Sequence, residues 1–418
     1  MVAAVACTAG PVVLPRTTPR PPEPCADRAI RVDGGSASTP VGSRVLGRSW
    51  IASTDSDRIR WFDPVTLRRI GPSHALPEQT GIWAVSPDGE LVAIALESSV
   101  RVIDAATLDT HASLRGVHGA RWLAWVSEQA LVGTDGNGNA FVWDRRTGTS
   151  RRYREADGNV GLAATDRLLL VAAGRGGGHA GLTEISAEGA RSIELDRIGV
   201  FDPDRGEVGL ELIPGLAYDP EAKRAYVVPP EGPIAVVDLA PHPPVVRYRS
   251  PPASFVERVA GSFLAEAEAK LGEWETVRAV WLGGGLLAVS GGTGSTMDLD
   301  GTAAGVSIVD TRTWSACLLD AGQTNVAVSD SVLLAWGGAN FGELGGTGLV
   351  GYNLRDGSRW HRFDRQYLDV QVYGPYGYAI NSWNGWRVRT VDLATGEVLH
   401  RRRGRPPTVL PTGASAAW

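Results

Sequence analysis

The chain has 418 residues, of which 43% are hydrophobic and 21% are charged, a composition typical of a folded globular protein. Its formal net charge of −5 argues against the basic surface that nucleic-acid-binding proteins use, so no nucleic-acid partner is expected. No apolar run reaches the ~18–20 residues that a transmembrane helix requires, so no membrane span is predicted.

Residues 1–43 are interpreted as a leader and tether. The opening "MVAAVAC" is apolar and places small residues before Cys7, which resembles the end of a bacterial lipoprotein signal whose cysteine receives the lipid. Ala4 stands where such signals usually have leucine, so a truncated lipoprotein signal and a short disordered leader both stay open. The proline-rich stretch 8–24 suits an extended tether.

The other two cysteines are Cys25 and Cys317. If Cys7 carries a lipid outside the cytoplasm, these two can pair as a disulfide. Two free thiols in a cytoplasmic protein fit the sequence equally well, because spacing alone does not decide between the alternatives.

One short pattern recurs from residue 44 to the end of the chain. It consists of a strand rich in valine and isoleucine, an aspartate at the strand end and a tight turn. The spacing of about 40 residues is typical of a β-propeller, in which each repeat is one blade of four strands. The eight copies are "RIRWFDPVTL" ending at Leu67, "SVRVIDAATL" at Leu108, "NAFVWDRRTG" at Gly148, "GLTEISAEG" at Gly189, "PIAVVDLAPH" at His242, "GVSIVDTRTW" at Trp314, "GLVGYNLRDG" at Gly357 and "RVRTVDLATG" at Gly396.

The repeat predicts an all-β chain that forms a single β-propeller over residues 44–418. Each copy supplies the third strand, the hairpin turn and the start of the fourth strand. Two further strands precede it, as in "GIWAVSPDGELVAIAL" at 81–96. Eight blades are expected, or seven if the weak copy "GLTEISAEG" is irregular.

The aspartates at the strand ends are predicted to be turn residues and not catalysts. A short carboxylate in this position can accept backbone N–H bonds from the turn that follows it. The set comprises Asp63, Asp104, Asp144, Asp238, Asp310 and Asp392.

The two ends of the repeat region predict how the ring closes. The first unit opens at "RVLGRSWIAST", which has the pattern of a second strand with no first strand before it. The last stretch, "TVLPTGASAAW" at 408–418, has the pattern of a first strand with nothing after it. Pairing the two completes one blade and leaves no open sheet edge at the junction.

The strings "VSPDGELVAI" and "VRVIDAATL" resemble the YVTN and WD-repeat-like propellers of bacteria. "VDLATGEVLH" also resembles the repeat of pyrroloquinoline-quinone-type propellers, but His400 replaces the tryptophan that docks neighbouring blades in that family. The resemblance implies a propeller over nearly the whole chain after residue 43. It leaves the activity open, because propellers host many functions.

The predicted strand order places every long connection on one face of the propeller. If strands a to d run from the central channel outward, then 174–180, 291–304 and 337–347 join strands b and c, while 198–209 and 251–275 join one blade to the next. Residues 251–275 include "SFVERVAGSFLAEAEAKLG", whose Ser254 and Glu257 form a capping box. This insertion is predicted to be helical, either packed on a blade rim or serving as a lid or docking ridge.

Candidate site residues lie in these connections, where binding residues concentrate on rigid scaffolds. Asp298 and Asp300 offer oxygen ligands at alternate positions, which suits calcium. Neither an HExxH pair nor a GxSxG motif is present, so no catalytic residue is assigned. The predicted ligand-binding face comprises Arg175, His179, Asp298, Asp300, Phe341, Glu343, Trp383 and Trp386.

These patterns favour a non-catalytic binding or scaffold propeller, secreted or anchored through Cys7, that recognises a protein or another extracytoplasmic ligand. No cofactor is expected for that role. The alternatives are a cytoplasmic location and an enzyme, either a dehydrogenase that uses pyrroloquinoline quinone or a metal-assisted hydrolase that uses calcium.

Overall fold

The computed structural model describes residues 24–25, 45–50, 57–75, 82–154, 158–173, 178–202, 210–251, 273–295, 303–329, 331–337, 348–363, 368–381, 386–405 and 407–409. Strands and turns make up these ranges, and no helix occurs in them, so the predicted all-β class is confirmed. Residues 252–272 of the predicted helical insertion lie outside the described residues, and a strand begins at Glu273.

The strands form eight sheets, seven of four strands and one of six, and each sheet contains the four antiparallel strands of one propeller blade. In the order a to d, blades one to four contain β34 (Thr408–Val409), β1 (Val45–Trp50), β2 (Asp57–Phe62) and β3 (Arg69–Ala75); β4 (Trp83–Val85), β5 (Leu91–Ala95), β6 (Ser99–Asp104) and β7 (Thr110–Arg115); β8 (Trp122–Trp125), β9 (Ala130–Thr134), β10 (Ala140–Asp144) and β11 (Ser150–Tyr153); β12 (Val160–Ala163), β13 (Arg167–Ala173), β14 (His179–Ser186) and β15 (Ala190–Gly199).

Blades five to eight contain, in the same order, β18 (Gly215–Asp219), β19 (Arg224–Val228), β20 (Ile234–Asp238) and β21 (Val245–Arg249); β22 (Glu273–Gly283), β23 (Leu286–Ser295), β24 (Ala303–Asp310) and β25 (Ser315–Asp320); β26 (Asn325–Ser329), β27 (Val332–Trp336), β28 (Leu349–Asn353) and β29 (Arg359–Arg362); β30 (Asp369–Tyr373), β31 (Tyr376–Asn381), β32 (Arg387–Asp392) and β33 (Val398–Arg403). The weak copy "GLTEISAEG" belongs to a complete blade four, so the propeller has eight blades and not seven.

Burial follows the position of a strand in its blade. Strand b of blade two, Leu91–Ala95, is buried at every residue, because its two faces pack on two different neighbours. This is why the b strands are continuous apolar runs. The outermost strand of blade eight, Val398–Arg403, instead alternates half-buried and exposed residues. Charged side chains therefore collect on the outer strands.

Eight apolar clusters hold the blades together, one in each seam between neighbours. In the seam between blades one and two, Ile59 packs with Trp83 and Ile94. In the seam between blades eight and one, Phe62 packs with Tyr378 and Val388. The other six clusters fill the other six seams in the same way. The hydrophobic core of the described structure thus consists of eight separate clusters arranged in a ring, one between each pair of neighbouring blades.

The ring closes as predicted, by pairing the two ends of the repeat region. Strand β34 pairs antiparallel with β1, with Gly47 opposite Val409. Side chains add to this closure: Tyr378, Thr390 and Arg402 of blade eight donate hydrogen bonds of 2.8, 2.6 and 2.5 Å to backbone carbonyls in the turn 64–67 of blade one. The closing seam therefore combines a strand pair, an apolar cluster and three side-chain hydrogen bonds.

A disulfide fastens the N-terminal segment to blade six. Cys25 and Cys317 are bonded, with a Cα–Cα distance of 4.9 Å. Beside the disulfide, the Cys25 N–H donates to the Leu318 carbonyl at 3.0 Å, and Pro24 forms a parallel bridge with Leu318. The segment thus adds to the outer edge of β25, and the sequence left this pairing open.

Blade six carries two strands beyond the predicted four. β16 (Phe201–Asp202) and β17 (Leu210–Ile213) form a hairpin, and β17 pairs in parallel with β22 through Glu211 and Trp274. The sequence analysis treated 198–209 as a plain connection between blades four and five. It missed the pairing because β22, the strand that β17 joins, follows in the chain only after the whole of blade five.

The turn between strands c and d is the most regular part of the repeat. Its last residue has a positive φ in six blades and donates its N–H to the carbonyl of the strand-end residue four positions earlier. Glycine adopts this conformation without steric strain. The six residues are Leu67, Leu108, Gly148, Trp314, Gly357 and Gly396, with φ between 52° and 77°.

Two glycines of this turn allow strain to be separated from packing. We expect Gly148→Ala to lower the free energy of unfolding by about 1 kcal/mol, because φ is +68° and nothing lies within 4 Å of the added Cβ. At Gly396 φ is +69°, but the added Cβ would meet the Trp360 ring at 2.5 Å, so Gly396→Ala is expected to cost about 2–4 kcal/mol. Urea unfolding measures both values, and equal losses would contradict the packing role of Trp360.

Removal of the disulfide is expected to destabilise the propeller. The bond joins residues 292 positions apart, so it restricts the unfolded chain strongly. The double variant Cys25→Ser/Cys317→Ser should lose about 2–4 kcal/mol in urea unfolding under non-reducing conditions. Cys7→Ser is the control and should leave the stability unchanged. An unchanged double variant would show that the disulfide does not constrain the unfolded chain.

Candidate functional site

The strand order divides the propeller into two faces. One face carries the a–b and c–d connections, and we call it the turn face. The opposite face carries the b–c and d–a connections, and we call it the loop face. The long segments around 174–180, 291–304 and 337–347 all lie between a strand b and a strand c, and 198–209 and 251–275 lie between successive blades. The predicted grouping of the long connections on one face therefore agrees with the strand order.

Two of the predicted site residues are described, and they lie far apart in the ring. His179 begins β14 in blade four, and Trp386 directly precedes β32 in blade eight. Both belong to the loop face, but blades four and eight are opposite each other in an eight-bladed ring, so the structure does not bring these residues together. The residues outside the described ranges are Cys7, Arg175, Asp298, Asp300, Phe341, Glu343 and Trp383.

His179 lies where blade four connects to the additional strands of blade six. Its side chain is exposed, and its backbone is paired with Gly199 at the end of β15. Beyond this pair, the Val200 N–H donates to the Gly178 carbonyl, and the Leu212 N–H donates to the Val200 carbonyl, each at 3.0 Å. These backbone hydrogen bonds connect the end of blade four to β17, which belongs to the sheet of blade six.

Trp386 is one of the few large apolar side chains that are exposed, at 40% of its surface. The guanidinium of Arg405 lies 5.5 Å from the centre of its ring, a cation–π contact. The Gly404 N–H donates to the Trp386 carbonyl at 2.8 Å, which ties the two chain segments together. Trp386 is therefore a fixed aromatic surface beside a positive charge.

Four arginines next to Trp386 form a feature that the sequence analysis missed. Arg387 and Arg389 on β32 lie opposite Arg403 and Arg401 on β33, so all four point to the same side of blade eight. We call this group the arginine quartet. Arg387, Arg401 and Arg403 are exposed, and Arg389 is half-buried. Alternate arginines on both arms of one hairpin, "RVR" and "RRR", are the sequence signal that identifies it.

The quartet is an accumulation of like charge. Burial and the neighbouring charges of Arg401 and Arg387 together lower the pKa of Arg389. The Arg389 guanidinium also lies 4.6 Å from the ring centre of Phe363 in blade seven. Like charges directly opposite each other on adjacent strands destabilise a sheet. An anion bound between the strands would relieve that repulsion.

A further positive charge lies on the innermost strand of blade six. Burial lowers the pKa of Arg278 to about 10, and the charge of Asp369 partly offsets this effect. The guanidinium therefore stays charged at neutral pH. Asp369 begins the innermost strand of blade eight, so this electrostatic interaction joins two blades that are not neighbours in the ring.

The strand-end carboxylates of the turn face are engaged within their own turns. Oδ1 of Asp63 accepts the Thr66 N–H at 2.6 Å, and Oδ1 of Asp392 accepts the Thr395 N–H at 2.9 Å. The same contact occurs at Asp104, Asp144 and Asp310 with residues of their turns. These five predictions of a structural role are confirmed.

Asp238 departs from the pattern. Its two carboxylate oxygens accept hydrogen bonds from Arg224 at 2.6 Å and Arg247 at 2.5 Å, so it links three strands of blade five by ion pairs. Asp238 is therefore a structural residue, but it stabilises the blade through ion pairs with side chains and not through hydrogen bonds with the backbone of its turn. The turn 239–243 contains a cis bond before Pro243 and lacks the threonine of the other copies.

A buried ion-pair network fastens blade four to blade five on the turn face. Glu184, 5% exposed, accepts hydrogen bonds from both Arg167 and Arg191. Arg191 also donates to the Leu239 carbonyl of blade five at 2.6 Å. Because the buried carboxylate is satisfied by two guanidinium groups, the network is a structural joint and not an exposed binding site.

The described residues contain no group of three or more histidine, cysteine, aspartate or glutamate side chains that could hold a metal ion. The carboxylate of Asp135 is engaged in its own turn: its Oδ1 accepts the N–H groups of Asn137 and Asn139, each at 2.9 Å. No helix of the described ranges is long and apolar enough to cross a membrane.

Comparison with known proteins finds similarity at the level of fold. No protein-family model matches the chain, and no curated protein matches it. The solved structure of dihydro-heme d1 dehydrogenase NirN in complex with DHE is 14% identical, with a TM-score of 0.51, over 94% of this chain and 76% of that one. Apo AztD from Citrobacter koseri is 10% identical, with a TM-score of 0.52, over 89% and 98%. These identities show a shared fold alone, so the resemblance to YVTN and quinone-type repeats stays a prediction.

The engaged carboxylates predict a loss of stability in acid. The N–H groups of the threonines three residues later lower the pKa values of Asp63, Asp104 and Asp144 in the folded protein. A carboxylate with a depressed pKa contributes stability above its unfolded pKa of about 3.9, and this stability is lost as the pH falls through the folded pKa. We expect the melting temperature to fall below about pH 4 for this reason.

The matched variant for this prediction is the triple substitution Asp63→Asn/Asp104→Asn/Asp144→Asn. Asparagine keeps a hydrogen-bond acceptor in the turn but does not titrate. Its melting temperature should therefore fall less between pH 5 and pH 2.5 than that of the unaltered protein. An identical acid dependence in both proteins would assign the loss to other carboxylates.

Proposed function

We propose that this protein is a non-catalytic binding or scaffold propeller that works outside the cytoplasm and recognises a protein or another ligand through its loop face. The observation that carries the proposal is the asymmetry of the two faces. Every expanded connection belongs to the loop face, whereas the c–d connections of the turn face are short and closed by their own hydrogen bonds. Long connections on a rigid scaffold are the usual place for binding.

Rigidity of the scaffold supports this role. Each seam has its own apolar cluster, and the seam between the first and last blades is reinforced by side-chain hydrogen bonds. A ring of this kind holds connections from different blades at fixed separations. Because the blades are already fixed relative to one another, binding of a partner orders few additional parts of this protein. A low entropic cost of this kind favours recognition over a broad surface.

The Cys25–Cys317 disulfide supports an extracytoplasmic location. Structural disulfides persist in oxidising compartments and are rare in the reducing cytoplasm. The bond also holds the segment after Cys7 against blade six. In the proposal, a lipid on Cys7 and the proline-rich stretch 8–24 would tether the propeller to a membrane surface, and blade six would be the point of attachment.

A loop replacement tests the proposal. We expect substitution of 338–347, the b–c segment of blade seven, by a short glycine–serine linker to abolish chemical crosslinking to the partner on intact cells. The matched control is Arg355→Glu on the opposite face of the same blade, an exposed residue of the c–d turn, which should leave crosslinking unchanged. Melting temperatures of both variants check that the fold is kept.

Two results would contradict the proposal. Loss of crosslinking in Arg355→Glu but not in the loop variant would move recognition to the turn face. A rise of several degrees in the melting temperature of the purified protein with micromolar calcium or pyrroloquinoline quinone would instead favour a metal-assisted or quinone-dependent enzyme, because a ligand that binds the folded state stabilises it.

A further inference from the structure

We propose that the arginine quartet of blade eight binds an extended acidic segment of a partner protein, one that presents carboxylates at alternate positions. The inference rests on the proposed function and specifies the chemistry of recognition at one corner of the loop face. Four observations carry it: uncompensated charge, a sheet arrangement that penalises that charge, the spacing of the guanidinium groups, and an outer strand edge of a kind that this protein already uses for pairing.

Three members of the quartet, Arg387, Arg401 and Arg403, have no carboxylate partner among the described residues. Several arginines elsewhere in those residues do pair with carboxylates, as Arg145 does with Asp88 at 2.8 Å and Arg224 with Asp238 at 2.6 Å. No described carboxylate forms an ion pair with Arg387, Arg401 or Arg403. In a chain with a net charge of −5, this corner is therefore a local excess of positive charge.

The placement of these charges lowers the stability of blade eight. Arg387 faces Arg403 and Arg389 faces Arg401 across one antiparallel ladder, so two like-charge pairs stand side by side. A sheet that needed only stability would place a neutral or acidic residue in at least one position of each pair. Carboxylates placed between the guanidinium groups would replace this repulsion by attraction. The planar guanidinium group can bind a carboxylate through two parallel hydrogen bonds.

The spacing selects an extended peptide. Arg401 and Arg403 are alternate residues of one strand, so their side chains emerge about 6.8 Å apart on the same side. Alternate residues of an extended peptide repeat at the same distance, so two carboxylates at positions i and i+2 can meet both arginines in register. A compact anion such as phosphate reaches only part of the quartet at a time.

The outer edge of β33 offers backbone pairing to the same peptide. β33 is the last strand of its sheet in the described structure, so its outer N–H and C=O groups face away from the blade. The corresponding edge of blade six is already paired with an extended segment, because Cys25 donates its N–H to the Leu318 carbonyl of β25 at 3.0 Å. The outer edge of a blade in this fold can therefore pair with an added strand. Only a peptide has the backbone N–H and C=O groups for such pairing, so the edge favours a peptide over a phosphate polymer.

Trp386 extends the surface beyond the quartet. Its exposed ring, with Arg405 beside it, adjoins Arg387 in the chain. An apolar or aromatic residue next to the acidic positions of the peptide would pack on this ring. The preferred segment is therefore acidic at alternate positions, with an apolar residue toward one end.

Fluorescence anisotropy with labelled peptides tests the proposal. The probe is an eight-residue peptide of alternating glutamate and threonine, and its composition-matched control has the four glutamates in one block. At low salt the alternating peptide should bind at least fivefold more tightly than the block peptide. The variant Arg401→Gln/Arg403→Gln should weaken binding of the alternating peptide at least tenfold.

A second variant controls for general charge loss. Arg115→Gln/Arg249→Gln removes two exposed arginines that end the outermost strands of blades two and five, as Arg403 ends that of blade eight. It should bind the alternating peptide as the unaltered protein does. The quartet variant should also melt at an equal or higher temperature than the unaltered protein, because it removes like-charge repulsion, so lost binding cannot be assigned to unfolding.

Three results would overturn the proposal. Equal binding of the alternating and block peptides would remove the register argument. Quartet-dependent binding of inorganic polyphosphate that is tighter than binding of the alternating peptide would assign the site to a phosphate polymer. Absence of binding by either probe would show that the quartet is not an anion site, or that another segment of this chain already covers it.

The proposed function can be judged separately from this inference. If neither peptide binds but the loop replacement at 338–347 still abolishes crosslinking to the partner, the quartet proposal fails and the loop-face proposal stands. If neither the loop replacement nor the quartet variant changes crosslinking, the loop-face proposal itself fails.

Discussion

Closure of the ring is the constraint on which the rest of this structure depends. A blade is apolar on both faces of its middle strands, so it is stable only between two neighbours. Seven of the eight seams join sequence neighbours, but the eighth joins Phe62 of blade one to Tyr378 and Val388 of blade eight, more than three hundred residues away. If that seam opened, two apolar faces would be exposed to water, and the pairing of β34 with β1 holds it closed together with three side-chain hydrogen bonds.

The two faces of the closed ring differ in how their polar and charged groups are paired. On the turn face the polar groups are satisfied internally: strand-end carboxylates accept the N–H groups of their own turns, and Glu184 is held by Arg167 and Arg191. On the loop face, Arg387, Arg401 and Arg403 of the arginine quartet beside Trp386 have no carboxylate partner among the described residues. Stability is thus concentrated where the turns are short, and the capacity to bind is concentrated where the chain is long.

Features of the fold that depend on local chemistry could be predicted from the sequence. A strand-end aspartate, a turn threonine and a residue with positive φ act within six positions of each other, so the repeat identified the blades, their number and the closing strand. Features that depend on partners distant in the chain could not be predicted. The Cys25–Cys317 bond spans 292 residues, and the parallel pairing of β17 with β22 joins segments that are separated in the chain by the whole of blade five. The quartet falls between these cases, because its arginines are close in sequence but become one group only once the register of β32 and β33 is known.

The disulfide determines which products proteolytic cleavage of the chain leaves. Because Cys25 is bonded to Cys317, a cut at any single peptide bond between these two residues leaves both pieces covalently joined. The connections at 174–177, 203–209 and 296–302, and most of 251–275, lie inside that covalent circle. Three others, at 338–347, 364–367 and 382–385, lie beyond it. A nick between Cys25 and Cys317 therefore leaves two pieces that stay joined by the disulfide, whereas a nick in the last two blades leaves a C-terminal fragment that is held only by non-covalent contacts.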